Sequence, residues 1–314
     1  MLTRRDVLVG AAAAAAAAVT RRTATEVSFR VPAGACDCHT HVFGDPARFP
    51  FTASRTYTPG PALVDEMRAL HRSLHTDRVV VVQPSVYGTD NACTLDAIHQ
   101  LGPRARGIAV IDDGTSDDDL DRMDRAGIRG IRVNLETAGQ TDPAIARARF
   151  QAATKRVARR RWHIQVFTRP SVIAALGDDF AYAPVPIVFD HFGGAQAAAG
   201  VAQPGFDVLL RLVKAGAAYV KLSAPYRGST QAPDYPDMTP LAAAFIAANP
   251  RRVLWGSDWP HPNTSPSAPR TPAGTAPRID VDDVRVFNRV AAWAPDAALR
   301  KIVLVENPAE LYRF

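Results

Sequence analysis

Cysteine is scarce in this chain. Only Cys36, Cys38 and Cys93 occur in 314 residues, and so small and odd a number excludes a disulfide-built scaffold. No apolar run reaches the ~20 residues a membrane-spanning helix needs. No Gly-x-Gly-x-x-Gly follows the first β-like run, which removes the usual dinucleotide-binding signature. No internal repeat or linker divides the chain. Charge of one sign is also thin. The formal net charge is +6, and five arginines against two acids in residues 1–30 supply +3 of it. What remains is too weak to imply a nucleic-acid partner. What is present is ordinary globular composition, 47% hydrophobic and 22% charged. The length suits one large α/β barrel, which takes ~250 residues, or two average domains.

Residues 1–30 read as a leader rather than as fold. Arg4 and Arg5 precede an apolar run over 7–19 that contains eight consecutive alanines. A charged start, a short apolar stretch and small residues after it are the marks of a secretory signal. The adjacent arginines resemble a twin-arginine signal, which implies export of a folded protein by the twin-arginine machinery to the periplasm, with Ala18 and Ala24 as candidate cleavage points. After its removal no membrane association is expected.

Eight short β-like runs follow, at 34–42, 78–83, 107–111, 130–135, 163–168, 187–192, 218–223 and 252–257, and amphipathic stretches separate them. In 61–75, for example, Leu63, Met67, Leu70 and Leu74 recur at helical spacing. Strands alternating with helices predict a parallel sheet, and eight such units predict a single-domain (β/α)8 TIM barrel over 31–314. The long connections 224–237 and 261–279 follow the last two strands and belong at the catalytic face. Arg159–Arg160–Arg161 reads as a helix end and Asp117–Asp118–Asp119 as a helix start, not as phosphate or calcium sites.

Strand side chains alternate between faces. Within Cys36-Asp37-Cys38-His39-Thr40-His41, strict alternation puts Asp37, His39 and His41 on one face and turns both cysteines outward. An aspartate and two histidines facing into a barrel need partners or a purpose. His191 ends the sixth strand in Asp190-His191-Phe192-Gly193-Gly194, and Asp258 ends the eighth in Gly256-Ser257-Asp258-Trp259-Pro260.

These three motifs on their respective strands resemble the amidohydrolase superfamily. The sequence 38–44, with Phe49-Pro50, Tyr57-x-Pro59 and Glu306-Asn307-Pro308, is most similar to its lactonase branch, the 2-pyrone-4,6-dicarboxylate lactonase-like enzymes. The resemblance implies hydrolysis of a small anionic lactone. Asp258 would be the base on water, and His191, His39 and His41 would polarise the carbonyl. Binuclear members carry a bridging lysine on the fourth strand, where this chain has Arg132 and Asn134. Mononuclear members take a histidine from the fifth strand, where Gln165 and Phe167 stand near the catalytic end and His163 lies deep. Neither Gln165 nor Phe167 is a good zinc ligand. The expectation is therefore catalysis without a metal cofactor. A labile divalent ion at His39, His41 and Asp258 is the alternative.

An arginine inside a barrel must be paired, and its planar fork suits a carboxylate. Arg132 is therefore expected to bind a substrate carboxylate, with Arg227 as a second binder by resemblance. Ser85 and Tyr57 are candidate donors to substrate oxygens. Asp258, as base, is expected to stand apart from any tight arginine pair, because such a pair would lower its pKa. A zinc-dependent amidohydrolase or decarboxylase, a lactone isomerase and a non-catalytic solute-binding protein are the competing readings.

Overall fold

The computed structural model describes residues 25–264 and 274–314. Eight strands make one parallel sheet: β1 (Cys36–Thr40), β2 (Arg78–Val82), β3 (Ala105–Ala109), β4 (Ile128–Asn134), β5 (His163–Phe167), β6 (Ile187–Phe189), β7 (Ala218–Ser223) and β8 (Val253–Gly256). Each strand pairs with its sequence neighbours. The ring closes where β8 returns to β1. Thr40 bridges Trp259, His41 N–H donates to the Trp259 carbonyl at 2.8 Å, and Asp258 N–H donates to the His39 carbonyl at 2.8 Å. The chain is thus the (β/α)8 barrel that its alternating pattern predicts.

The outer ring is built from α1 (Val64–Leu74), α2 (Ala92–Leu101), α3 (Asp117–Arg125), α4 (Pro143–Val157), α5 (Pro170–Ala175), α6 (Phe206–Lys214), α7 (Thr239–Ala248) and α8 (Asp283–Trp293). The charge runs are helix termini. Ser116 caps α3 by accepting from Asp119 N–H, and Arg160 pairs with Asp117 and Asp121. Strands buried on both faces read as near-continuous apolar runs. Their outward residues, such as Val79, Val81, Ile164, Val166, Val220 and Trp255, join the helices in the main core. Their inward residues Val80, Val82, Ile108, Val188 and Leu254 fill the lower barrel, which Leu311 and Tyr312 floor.

Two expectations need correction. The first 24 residues of the expected leader lie outside the described residues, but residues 25–30 are part of the fold. Ser28 N–H donates to Asn288 Oδ1 at 2.7 Å, Asn288 Nδ2 donates to the Glu26 carbonyl at 2.9 Å, and the Phe29 ring lies 5.1 Å from Phe287. These contacts tie residues 26–29, which the expected leader included, to α8.

The second correction concerns the phase of β1. Asp37 pairs with Val79 and Thr40 with Val81, so three steps on β1 oppose two on β2. That is a β-bulge. Below it Cys36 and Cys38 face the barrel interior, in the cluster with Val80 and Val82. Above it His39 and His41 also face inward. Asp37 instead turns toward α1 and β8. It accepts from Ser257 N–H at 3.0 Å and Ser257 Oγ at 2.6 Å, and lies 3.3 Å from His71 Nε2. Strict alternation had Asp37 inward and the cysteines outward, and the inserted residue reverses both.

Candidate active site

The C-terminal ends of the strands bring the expected residues together. His41, Tyr57, Ser85, Arg132, Phe167, His191, Arg227 and Asp258 line one small hollow, and His39 lies directly beneath it, fully buried. Gly256 makes room for His39, because a Cβ there would stand 2.7 Å from that of His39.

Asp258 is the centre. Its backbone is held at φ +64°, and its two oxygens have different surroundings. Oδ2 accepts from Tyr226 Oη at 2.6 Å and from Arg227 Nε and Nη2 at 3.1 and 2.8 Å. Oδ1 has no hydrogen-bond partner among the described residues. It faces the Nε2 atoms of His41, His39 and His191 at 3.4, 3.5 and 3.8 Å. Burial alone would raise this carboxyl, but Arg227 and the surrounding histidines outweigh burial and hold it well below the usual carboxylate range. Asp258 therefore does not stand apart from an arginine. Arg227 is its partner, and the remaining Arg227 nitrogen donates to Thr264 Oγ1 at 2.8 Å. The second carboxylate binder expected at Arg227 is already engaged within the protein.

The histidines differ in which nitrogen they present. His41 Nδ1 lies 2.8 Å from the Val82 carbonyl. A carbonyl only accepts, so Nδ1 carries the proton and the Nε2 lone pair points at the hollow. His191 Nδ1 is 2.8 Å from Ser223 Oγ. His39 Nδ1 lies 3.3 Å from Lys221 Nζ and 3.2 Å from Asp190 Oδ1. Accepting from Lys221 leaves the proton on Nε2, and donating to Asp190 leaves the Nε2 lone pair toward the hollow. Burial lowers the pKa of His39 to about 3, and burial also puts His191 well below the ordinary histidine value.

Beneath this layer lies a second one that the sequence reading missed. Asp190 Oδ2 accepts from Arg132 Nε at 3.1 Å and from Gln165 Nε2 at 3.0 Å. Lys221, fully buried, donates to Gln165 Oε1 at 2.6 Å and lies 3.5 Å from Asp190 Oδ1. Burial would raise Asp190, yet His39, Lys221 and Arg132 hold it well below the carboxylate range. Alternation within β7 carried the signal, since Tyr219, Lys221 and Ser223 share one face. Arg132 thus has a protein partner, but only for Nε. Among the described residues its two terminal nitrogens have no hydrogen bond and remain at the hollow's edge. The Arg132 and Arg227 guanidiniums lie 5.2 and 5.8 Å from the Phe167 ring centre. Tyr57 sits beside Ser85 and both arginines, and burial raises its hydroxyl to about 12.

The donor set bears on a metal. Tetrahedral zinc with ~2.0–2.1 Å bonds keeps its ligand atoms roughly 3.4 Å apart. The spacing of Asp258 Oδ1 from the three Nε2 atoms is close to that, and His39, His41 and Asp258 form one of two candidate groupings, the other being His39, Asp190 and His191. The lone pairs of Asp258 and His41 suit a cation, and His39 Nε2 joins them in the tautomer where its Nδ1 donates to Asp190.

A cleft of about 720 Å³ opens beside the hollow and shares Ser85, Arg132 and Thr137 with it. It runs over the ends of β3 and β4 toward α4.

A family model described as amidohydrolase matches residues 36–314. The chain is 35% identical to a 4-sulfomuconolactone hydrolase of Rhizobium radiobacter, over 93% of this chain and 94% of that one. It is 33% identical to a 2-pyrone-4,6-dicarboxylate hydrolase of Comamonas testosteroni, over 90% and 92%. A solved probable 2-pyrone-4,6-dicarboxylic acid hydrolase of Acinetobacter baumannii, with citric acid bound, matches with a TM-score of 0.73 at 26% identity, over 90% of this chain and 100% of that one.

Proposed function

Because this chain belongs to the amidohydrolase family, we propose that it hydrolyses a small anionic lactone, with Asp258 activating the attacking water. The observation that carries this reading is the asymmetry of Asp258. One oxygen is saturated by Tyr226 and Arg227, and the other is bare and faces three imidazoles. A base needs an accessible lone pair beside the water it deprotonates. Water in the hollow donates to Asp258 Oδ1 and to the lone pair of His41 Nε2, and attacks the lactone carbonyl. His39 donates from Nε2 to the developing oxyanion in the tautomer where Lys221 donates to its Nδ1. His191 does the same in the tautomer where Ser223 donates to its Nδ1. The C–O ring bond then breaks, and the proton held on Asp258 passes to the leaving ring oxygen. His41 thus accepts rather than polarises, a revision of the role that sequence suggested.

The terminal nitrogens of Arg132 hold a substrate carboxylate, and Ser85 and Tyr57 donate to further substrate oxygens. This anchoring supports a near-attack geometry. Arg227 orients Asp258 rather than the substrate. A divalent ion held by His39, His41 and Asp258 would add Lewis-acid polarisation of the same carbonyl. The Arg132 guanidinium at the edge of the hollow, where it places a fixed positive charge, favours the route without it.

A panel of carboxylated lactones assayed in oxygen-18 water, with and without chelator, tests the reading. One oxygen-18 atom should enter the product carboxylate, and turnover should survive chelation. Conversion without label would mean isomerisation by an internal hydroxyl. Loss of turnover on chelation, restored by zinc, would overturn the metal-free route. We also propose export through the arginine pair Arg4–Arg5. Replacing both with lysine should leave the protein in the cytoplasm, and unchanged periplasmic recovery would refute it.

A further inference from the structure

His39 is fully buried among three charged groups, and its proton can sit on either ring nitrogen. Burial lowers its pKa to about 3, so the ring is neutral. On the lower side Nδ1 lies 3.3 Å from the Lys221 ammonium and 3.2 Å from Asp190 Oδ1. On the upper side Nε2 lies 3.5 Å from Asp258 Oδ1 and makes no hydrogen bond among the described residues. A proton on Nε2 presents a lone pair to the ammonium below and a hydrogen to the carboxylate above, and conflicts with Asp190 alone. A proton on Nδ1 suits Asp190 and conflicts with both other groups. It turns an N–H toward the ammonium and a lone pair toward Asp258. Alignment points the same way. Asp190 Oδ1 is close to Nδ1 yet forms no hydrogen bond among the described residues, so it stands off the line of an Nδ1–H.

We propose that Lys221 is a positioning residue that holds the His39 proton on Nε2, and that it thereby bars a divalent ion from His39, His41 and Asp258. The use of that proton on an oxyanion rests on the lactonase reading, whereas the tautomer and the exclusion do not. A metal takes a histidine through a lone pair, and the other ring nitrogen then donates to a carboxylate or a carbonyl. Asp190 behind His39, with His41 and Asp258 beside it, supplies the parts of such an arrangement. The ammonium at 3.3 Å opposes it, because an Nδ1–H would meet another donor there. Charge balance alone does not call for this lysine. Asp190 already has Arg132 as its cation, and a second buried cation carries its own desolvation penalty. Gln165 Oε1 accepts from Lys221 at 2.6 Å and keeps the ammonium under the imidazole.

The test reads the ring directly. Nitrogen-15 NMR of protein labelled at histidine, with the His39 signals assigned by their loss in His39→Gln, should show the Nε2–H tautomer in the wild type at neutral pH. An Nδ1–H tautomer there would overturn the proposal, whether or not any variant folds. Lys221→Met removes the donor, and the His39 signals should move to the Nδ1–H tautomer. The same variant should bind zinc about 10–100-fold more tightly than the wild type, the size of effect that groups behind the ligands have on metal affinity. Competition with a chromophoric chelator measures it, and adding His39→Gln to Lys221→Met should remove the gain. An unmoved tautomer or an unchanged zinc affinity in folded Lys221→Met overturns the proposal. Turnover separates it from the lactonase reading. With chelator present, Lys221→Met should lose about 10²–10³-fold in kcat on a carboxylated lactone, as when one oxyanion donor is removed, with little change in KM. If the tautomer and zinc results hold while the wild type hydrolyses no lactone, the lactonase reading falls alone.

Discussion

Two buried aspartates stand one above the other in this barrel, and both are held below the ordinary carboxylate range by cations. Asp190 takes its cations from the strands, Arg132 of β4 and Lys221 of β7. Asp258 takes its cation from a loop, Arg227 after β7. One oxygen of Asp190 is hydrogen-bonded twice, and the other lies within 3.2–3.5 Å of His39 Nδ1 and Lys221 Nζ. Neither Oδ1 makes a hydrogen bond among the described residues, but only Asp258 lines the hollow. A similar charge and depth therefore serve different ends. The lower pair stabilises and aligns, whereas the upper carboxylate can accept a proton. A depressed pKa alone would not have told them apart.

That division can be broken by substitution. Asp258→Asn should lower turnover by roughly 10²–10⁴-fold, the usual size of general-base catalysis, with little change in melting temperature. Near-wild-type turnover would move the base elsewhere. Asp190→Asn should show the opposite pattern. It strips the charge from beneath Arg132 and Lys221, and loss of one partner from a buried pair costs about 3–5 kcal/mol of stability. Chemical denaturation measures it, and an unchanged midpoint would refute the structural role.

Arg132 belongs to both layers, because Nε serves Asp190 and the terminal nitrogens face the hollow. Arg132→Met should cost carboxylated lactones about 2–5 kcal/mol in kcat/KM and neutral lactones much less. Equal losses would confine this arginine to the lower layer. The smallest effect sharpens the comparison through pH. Burial lowers both His39 and His163 to about 3. The unfolded chain takes up protons on these residues below pH ~6.5 that the folded chain refuses. Stability is therefore complete above that pH and declines as pH falls through the window from about 6.5 to 3. Each such histidine contributes up to ~1.4 kcal/mol per pH unit. His163→Leu should flatten the decline measured by denaturation between pH 6.5 and 4.5. The Asp258 contribution is lost only lower, as pH falls through its depressed value, so protonation of Asp258 should not limit kcat/KM between pH 7 and 5.

The barrel and most of the upper layer were legible in the sequence. Eight alternations of strand and helix fixed the architecture, and His39, His41, His191, Asp258, Arg132, Ser85 and Tyr57 do converge at the strand ends. The lower layer was harder to see. Lys221 and Gln165 are lone polar residues in apolar strands, and a pairing between β5 and β7 across the barrel leaves no local signature. The Arg227–Asp258 pair joins two loops separated by 30 residues, and sequence offers no measure of that distance. The phase of Asp37 was misread because a bulge obeys tertiary closure, not the period of the strand.

With its one extra residue, β1 behaves like a vernier between two scales. In a strand of unbroken period, whichever parity supplies the floor must also supply the rim. Here Cys36 and Cys38 keep the parity of the floor, while His39 and His41 keep that of the rim. The floor can thus be repacked without touching the imidazoles. The same device concentrates the whole adjustment in a single residue. Deleting Cys38 would restore strict alternation with Cys36, His39 and His41 all still turned inward, so the rim would survive and only the floor would lose a side chain.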